Sequence, residues 1–373
     1  MKNPFVFGKV VAGENFVNRH EEITLLQNHF NHQIHTILIS PRRWGKTSLV
    51  LQACQTMPNT KQFRFCYLDL FGVRSEQEFY QKFASEIIRK TATKWQEIGS
   101  WLKNFFRHLK PKISIGNQEN EWSLDFEVSD NQHIEEVLNL PEKIAQKKNL
   151  KMVVCLDEFQ NIDSFTETTS FQKLLRSYWQ HHQKVSYCFL GSKRSMMSQI
   201  FEKQKMPFFK FGQVLHLNRI ATEHWIEFLQ KSFQATQKTI SPTQALQIAE
   251  IAQNHPYYVQ QIAFWVWLET DKIVQNDALE KAIKHVIAQN EPFYEQIVEN
   301  LSHSQIQLLK AIVQQEKQLS SQETIKKYHL GTSALIVKNQ RILQEKEIIF
   351  SEKKQYRFED PLLEKWFSWK FVL

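Results

Sequence analysis

The tripeptide Gly45-Lys46-Thr47 closes a loop after an apolar run, and its residue types suit polyphosphate binding. In such a loop, backbone N–H groups surround the β-phosphate, and the N-terminus of the next helix adds partial positive charge. Lys46 would reach the β- and γ-phosphates, and the Thr47 hydroxyl would bind Mg²⁺. The first glycine of this motif is replaced by Ser40, so the tripeptide alone is a weak signal.

Two adjacent carboxylates supply what the loop lacks. The apolar run Met152–Leu156 predicts a buried strand, and Asp157 and Glu158 stand at its end. Asp157 would hold the metal directly or through water, and Glu158 would orient and deprotonate an attacking water. The alternative is a strand end with two exposed acids. Because the loop precedes the acids by about 110 residues, the combination indicates a nucleotide site.

A further candidate follows the apolar run Tyr187–Leu190. Ligands collect at the carboxyl ends of parallel strands, so Ser192 would polarise the γ-phosphate or the attacking water. Lys193 or Arg194 would stabilise transition-state charge, in cis or toward a neighbouring subunit. The alternatives are an ordinary serine at a strand end and a solvated helix start.

Short apolar runs alternate with long amphipathic stretches in the first half of the chain, which predicts βαβ units and a parallel sheet. The runs lack strict polar alternation, as expected where helices cover both faces of a sheet. The predicted strands are Ile34–Ser40, Phe63–Leu70, Met152–Leu156, Val185–Leu190 and Val214–Leu217.

A helical stretch from Ser75 to Leu109 separates the second and third predicted strands, and a β-hairpin insertion near 113–128 follows it. Alternating apolar residues on both sides of Gly116-Asn117 predict the hairpin. The segment Trp101–Lys112 carries four Lys or Arg beside aromatic residues, which would suit an anionic surface. The alternative is a helix end that packs its aromatic side chains inward.

The strand patterns end near residue 218, which gives a first domain over 1–218. A helical domain over 219–295 is predicted from apolar residues spaced three and four apart. Its helices are Ala221–Gln234, Pro242–Gln253, Tyr257–Thr270 and Asp277–Gln289. Over 296–373, three helical stretches and a hairpin predict a winged helix. These elements are Gln305–Glu316, Ser321–Tyr328, Thr332–Lys346, Ile348–Phe350 and Tyr356–Phe358.

The winged helix suggests duplex DNA as a partner. Residues 296–373 contain 12 Lys and Arg against 9 Asp and Glu, a net charge of +3. The third helix offers Lys338 and Arg341, and the wing offers Lys353 and Lys354. Because this surface is only mildly basic, a module for protein contact or self-packing is the alternative.

Composition excludes several classes of protein. The chain has 373 residues, 42% of them hydrophobic, and a formal net charge of +8. This balance excludes a disordered chain, and nine glycines exclude a fibrous one. Four scattered cysteines exclude a disulfide scaffold. Without an apolar run of about 18 residues or a signal-peptide core, we expect a cytoplasmic protein that makes no membrane contact.

Together, these motifs resemble those of the archaeal-type P-loop ATPases, which are placed with the STAND NTPases near the AAA+ proteins. The resemblance covers essentially the whole chain. The matching segments are Asn3–Phe5, Phe16–Glu22, Ser40–Ser48, Leu156–Gln160, Gly191-Ser192, Asn254–Tyr258 and Glu359–Trp366.

The resemblance implies an α/β P-loop NTPase sheet of the AAA+/STAND type, followed by an α-helical lid and a winged helix. It implies ATP as the nucleotide, an adenine near the opening segment, a sensor at Ser192 and a lid element at His255-Pro256. Simple helix initiation by Pro256 is the alternative for that last element. Phe16 and Val17 would line the base or belong to the core, and Arg19 would act there or pair with Glu22.

We therefore predict a slow Mg²⁺-dependent ATPase that works as a nucleotide-driven conformational switch, with a protein partner or a homo-oligomer. The alternatives are a DNA-binding ATPase resembling replication-origin initiators, or a regulatory switch that binds nucleotide with little hydrolysis. The candidate catalytic residues are Glu158, Lys46, Ser192 and Arg194, and the candidate metal ligands are Thr47 and Asp157. The candidate nucleotide-binding residues are Ser40, Pro41, Arg42, Arg43, Trp44, Gly45, Lys46, Thr47, Ser48, His255 and Pro256.

Overall fold

The computed structural model describes residues 2–11, 13–58, 60–92, 95–115, 122–352 and 355–372. The chain divides into two compact units. The sheet unit comprises Arg19–Arg42 and Lys46–Asn218. The helical unit comprises Met1–Asn18, Arg43–Gly45 and Arg219–Leu373. The sheet unit therefore ends at residue 218, and the tip of the predicted phosphate loop belongs to the helical unit.

A five-stranded parallel sheet forms the centre of the sheet unit. Its strands are β1 (Thr36–Ile39), β2 (Phe63–Asp69), β5 (Lys151–Asp157), β6 (Val185–Gly191) and β7 (Gln213–His216), in the order β2-β5-β6-β1-β7. Every pair is parallel. The central strand β6 and its neighbour β1 are buried along their whole length, which explains their lack of polar alternation.

The helices of the sheet unit include two that replace the single long stretch predicted over Ser75–Leu109. These are α3 and α4, and Ser75 caps the first of them by accepting a hydrogen bond from the Glu78 N–H. The helices are α1 (His20–Asn31), α2 (Lys46–Gln55), α3 (Glu76–Thr91), α4 (Trp95–Phe105), α5 (Asn131–Leu138), α6 (Leu140–Lys148), α7 (Thr168–Trp179) and α8 (Arg194–Phe201).

The predicted insertion contains an antiparallel pair, β3 (Lys112–Ile115) and β4 (Trp122–Asp125), in which Ile113 faces Leu124. The turn predicted at Gly116-Asn117 lies outside the described residues. Trp101 and Phe106 are buried, as the inward-packing alternative predicts. Contact of this segment with an anionic surface stays a prediction.

Two partly buried histidines of the sheet unit, His35 and His182, contact Tyr187. Burial lowers the pKa of His35 and of His182 to about 4, from an ordinary value of 6.5. His35 Nδ1 accepts the Tyr187 N–H at 3.1 Å, and His182 Nδ1 lies 3.0 Å from the Tyr187 hydroxyl. Both rings are therefore neutral in the folded protein at neutral pH.

We expect the stability of the sheet unit to fall as the pH falls from 6.5 to 4. In that window the unfolded chain binds two protons that the folded chain excludes, at about 3 kcal/mol for each histidine. The midpoint of urea unfolding, measured between pH 7.5 and 4.5, checks this. His182→Asn should flatten the profile, whereas His224→Gln, at an exposed position, should leave it unchanged. A wild-type midpoint that is flat with pH would contradict the expectation.

The helical unit continues with four helices in its first part. They are α9 (Thr222–Ala235), α10 (Pro242–Ile251), α11 (Pro256–Leu268) and α12 (Ala278–Glu299). Prolines at the start of α10 and α11 begin these helices without the loss of a backbone hydrogen bond. Helix α12 extends ten residues beyond the predicted end at Gln289 and runs through position 295, where we place a domain boundary. That boundary stays a prediction.

The winged helix closes the chain. It contains α13 (His303–Val313), α14 (Gln322–Tyr328), α15 (Ser333–Glu345), β8 (Ile349–Glu352), β9 (Gln355–Phe358) and α16 (Pro361–Phe371). The two strands pair antiparallel, with Ile349 facing Phe358. Helix α16 was not among the predicted elements, although Asp360-Pro361 is a typical helix start. The wing residues Lys353 and Lys354 lie outside the described residues.

The described helices contain none that is both long and apolar enough to cross a membrane.

Candidate nucleotide site

The predicted phosphate loop joins β1 to α2, and Lys46 is the first residue of that helix. Gly45 has φ +84°, a left-handed conformation that favours glycine. The Lys46 side chain is buried, and its ammonium group donates to the carbonyl oxygens of Ser40 at 3.0 Å and Pro41 at 3.1 Å. A buried ammonium group is thus held by neutral acceptors, which a phosphate would replace with stronger, charge-assisted hydrogen bonds.

The end of β5 meets the loop at the Asp157 carboxylate. The Thr47 hydroxyl donates to Asp157 Oδ2 at 2.6 Å, and the Tyr67 hydroxyl donates to the same oxygen at 2.6 Å. The other oxygen, Oδ1, accepts the Glu158 N–H at 2.9 Å. The two segments that the sequence separates by about 110 residues are therefore in direct contact.

Glu158 lies beside the end of β6. Its Oε2 accepts the Ser192 hydroxyl at 2.8 Å and also accepts the side-chain amide of Gln160. The backbone of Glu158 has φ +52°, a left-handed conformation that is uncommon for a residue other than glycine. This conformation turns the chain directly after Asp157, so that adjacent carboxylates reach different partners.

Gly191 allows the close packing behind Glu158. A Cβ at this position would lie 2.3 Å from Met197 and 2.7 Å from Gln160 Oε1. Gln160 itself is fully buried. The glycine that precedes Ser192 therefore makes room for the amide that contacts Glu158.

Most of the predicted site residues belong to the sheet unit. Lys46, Thr47, Asp157, Glu158 and Ser192 lie together in the sheet unit, linked by the hydrogen bonds above. Ser48 is buried in α2, and Arg42 is exposed in the loop. Arg194 begins α8 two residues after Ser192 and is half-buried.

Within the helical unit, the loop tip contacts the start of α11. The Arg43 guanidinium lies 4.5 Å from the centre of the Tyr257 ring, and the Trp44 ring lies 5.9 Å from the His255 ring. Pro256 is the first residue of α11. The predicted lid element and the loop tip are thus neighbours.

Phe16 and Val17, which we predict at the base or in the core, differ in burial. Val17 is buried, whereas Phe16 is half-buried. Arg19 donates to Glu22 at 2.7 Å, which is the pairing that the alternative predicts.

Sequence reasoning missed Tyr67 as a member of this site. Burial raises the pKa of Tyr67, and the nearby charge of Asp157 raises it further, so the phenol remains a donor at neutral pH. Tyr67 lies within a correctly predicted strand, but only the pairing of β2 with β5 brings it to Asp157. A sequence gives no direct signal of that pairing.

The residues present fit Mg²⁺. Thr47 and Asp157 offer hard oxygen ligands, and Mg²⁺ is usually held by one or two carboxylates together with substrate phosphates. Among the described residues, no group of three or more His, Cys, Asp or Glu could hold a metal by itself. A threonine hydroxyl and a carboxylate suit a cation that also binds the oxygens of a polyphosphate.

Comparison with known families decides the classification. A family model of ATPase domains predominantly from Archaea matches residues 16–262, about two thirds of the chain. The chain belongs to this family. A second model, of a probable winged helix domain, matches residues 292–369. The expected fold, an α/β P-loop ATPase sheet with helices and a C-terminal winged helix, is confirmed.

Solved structures share the fold of this archaeal-type ATPase. A Walker-type ATPase of Pyrococcus abyssi has 14% identity and a TM-score of 0.69, covering 98% of this chain and 99% of its own. The Aeropyrum pernix ORC2 protein in ADPNP–ADP complexes has 14% identity and a TM-score of 0.59, with 97% and 98% covered. The Aeropyrum pernix ORC1 protein in complex with DNA has 11% identity and a TM-score of 0.51, with 96% and 94% covered. No curated protein sequence matches the chain significantly.

Proposed function

We propose that this ATPase-family protein binds ATP with Mg²⁺ and hydrolyses it, and that the nucleotide state controls the conformation of the lid and the winged helix. The observation that carries the proposal is the hydrogen bond from the Thr47 hydroxyl to Asp157, which joins the phosphate loop to the acidic strand end. Such a junction gives one triphosphate both a lysine and a pair of carboxylates.

Five side chains of the site would act on the nucleotide, its metal or the attacking water. Lys46 would leave its backbone acceptors and bind the β- and γ-phosphates. Thr47 and Asp157 would hold Mg²⁺, which neutralises charge on the phosphates when it is bound. Glu158, whose carboxylate lies 2.8 Å from the Ser192 hydroxyl, would orient the attacking water and accept its proton. Ser192 would contact the γ-phosphate.

The proposal extends beyond these five side chains to Arg194, the location of the protein and its output partner. Arg194, at the start of α8, would stabilise transition-state charge in cis or reach a neighbouring copy of the chain. A cytoplasmic location is supported by the four cysteines, all of which are free thiols. The output partner would be another protein or a second copy of this chain.

Contacts within the helical unit support the conformational switch. Arg43 and Trp44, at the loop tip, contact the first turn of α11. One residue further into that turn, the Tyr258 hydroxyl donates to Asp360. Asp360 also caps α16, because its Oδ1 accepts the N–H groups of two residues in the first turn. A displaced loop tip would therefore act on α11 and on the last helix of the winged helix.

Turnover and hydrogen exchange test the proposed function. We expect phosphate release from ATP with Mg²⁺ and none with EDTA, with a rate per molecule that rises with protein concentration if a homo-oligomer forms. Amides in the first turns of α11 and α16 should exchange differently with an ATP analogue and with ADP. Binding of ATP without turnover, in dilute and concentrated samples, would favour the regulatory switch with little hydrolysis. The presence of Glu158 argues for hydrolysis.

A DNA-binding ATPase is the second candidate function, favoured by the exposed face of α15. Lys338 and Arg341 are exposed on this helix, in the fold that the DNA-bound Aeropyrum pernix protein shares. The same face also exposes Ala334 and Val337, and Arg341 is paired with Glu345 at 2.8 Å. The two exposed apolar side chains and the paired arginine support the alternative, in which α15 contacts another protein.

Charge reversal on α15 tests whether this helix binds duplex DNA or another protein. If the helix binds duplex DNA, K338E/R341E should weaken binding at least tenfold and flatten its salt dependence, since each lost phosphate contact lowers the slope by about one. Fluorescence anisotropy with a labelled duplex between 50 and 200 mM salt measures both. K231E/K281E is the control, because it changes the net charge equally at exposed lysines of α9 and α12. Equal weakening by the two pairs would exclude α15 as the DNA contact.

A further inference from the structure

Tyr67 occupies a place in the nucleotide site that no phosphate-loop or acidic-strand motif assigns. It lies on β2, and its hydroxyl donates to Asp157 Oδ2 at 2.6 Å. The Thr47 hydroxyl donates to that oxygen at the same distance. With the Glu158 N–H on Oδ1, the carboxylate of Asp157 is held from three directions.

The register of the sheet explains how a tyrosine reaches this position. Strand β2 pairs with β5 so that Tyr67 faces Cys155 and Asp69 faces Asp157. Asp157 is thus two residues further along the neighbouring strand, a distance of roughly 6.6 Å at 3.3 Å per residue. A tyrosine side chain spans about that length and ends in a donor, whereas phenylalanine would leave Oδ2 with one donor fewer.

The environment of Asp157 makes its orientation depend on these donors. The side chain is buried, so lost hydrogen bonds are not replaced by bulk water. Thr47 lies in the first turn of α2 and has to serve the proposed metal as well. Tyr67 lies on a strand of the sheet and has no second ligand to serve in the proposal.

We propose that Tyr67 is a positioning residue whose hydroxyl fixes the Asp157 carboxylate for Mg²⁺, so that it sets the affinity for the metal and not that for the nucleotide. This inference rests on the proposed function. Tyr67 acts through Asp157 and touches neither phosphate nor water in this role. Its removal should therefore separate metal affinity from nucleotide affinity, which loss of packing would not do.

Titration of Mg²⁺ into Tyr67→Phe tests the inference. With a non-hydrolysable ATP analogue bound, calorimetry should show that half-saturation needs about tenfold more Mg²⁺ than in the wild type. Affinity for the same analogue in EDTA should stay within twofold, and the melting temperature of the ligand-free protein should change little. Tyr80→Phe is the matched control, because its buried hydroxyl has no hydrogen-bond partner among the described residues.

The possible results separate this inference from the proposed function. An unchanged Mg²⁺ requirement in Tyr67→Phe, with normal Mg²⁺ dependence in the wild type, overturns the role of Tyr67 alone. Equal losses of metal and nucleotide affinity, or a large fall in melting temperature, assign Tyr67 a structural role and also overturn it. A wild type whose analogue binding ignores Mg²⁺ contradicts the proposed function itself.

Discussion

Lys46→Ala should weaken ATP binding at least a hundredfold, a loss of about 3 kcal/mol. The Lys46 ammonium group is buried at the phosphate loop, where it donates to the carbonyl oxygens of Ser40 and Pro41. Without it, the β- and γ-phosphates would lose the buried cation that the phosphate loop supplies. Equilibrium binding of a fluorescent ATP analogue, with Mg²⁺ present, measures the effect.

The control for this variant is Lys173→Ala, which removes an exposed lysine from α7 of the same unit. It should bind the analogue as the wild type does. Retained tight binding by Lys46→Ala, with its melting temperature unchanged, would mean that the phosphates bind elsewhere.

Glu158→Gln should bind ATP normally but turn it over about 10²- to 10⁴-fold more slowly, the usual range for loss of a general base. Glutamine has the size of glutamate and can still accept the Ser192 hydroxyl, so the geometry is kept while the proton acceptor is lost. Single-turnover hydrolysis, together with equilibrium binding, separates the two effects.

Glu135→Gln serves as the matched control, since Glu135 is an exposed acid on α5 of the same unit. Its turnover should equal that of the wild type. Unchanged turnover in Glu158→Gln would remove this residue from the role of base and leave the attacking water to another group.

Local patterns predicted most of the fold because its elements carry their own signals. The apolar runs of β1, β5 and β6 are buried on both faces, and their composition indicates this without knowledge of their neighbours. Helix α16 was missed although Asp360 caps it, because it follows the elements that complete a winged helix. The break between α3 and α4 was missed because the amphipathic pattern continues across it.

The candidate site was predictable only where a motif is contiguous. The loop around Lys46 and the pair Asp157-Glu158 are each adjacent in sequence, and their contact follows from the rule for strand ends. Tyr67 was not predicted as a member, since it reaches Asp157 only through the pairing of distant strands. Gln160 was included in the matching segment Leu156–Gln160, but no role was predicted for its side chain. For Tyr67 the deciding fact is the β2–β5 register, and for Gln160 it is the space left by Gly191.

The hydrogen bonds of the site explain how charged groups are stable there before a ligand binds. Lys46 is held by backbone carbonyls, Asp157 by hydroxyls and a backbone N–H, and Glu158 by a hydroxyl and an amide. These hydrogen-bonding partners are neutral, and each of them satisfies a polar group that is shielded from bulk water. A magnesium–triphosphate unit would offer Lys46 and Asp157 stronger, charge-assisted interactions.

The most direct test is a crystal structure with a non-hydrolysable ATP analogue and Mn²⁺, located by its anomalous signal. We predict the metal in contact with the Thr47 hydroxyl oxygen, and in direct or water-mediated contact with Asp157. The Lys46 ammonium group should have moved from the Ser40 and Pro41 carbonyls to the phosphates. A metal and triphosphate bound away from both Thr47 and Asp157, with Lys46 still on those carbonyls, would contradict the assignment of this site.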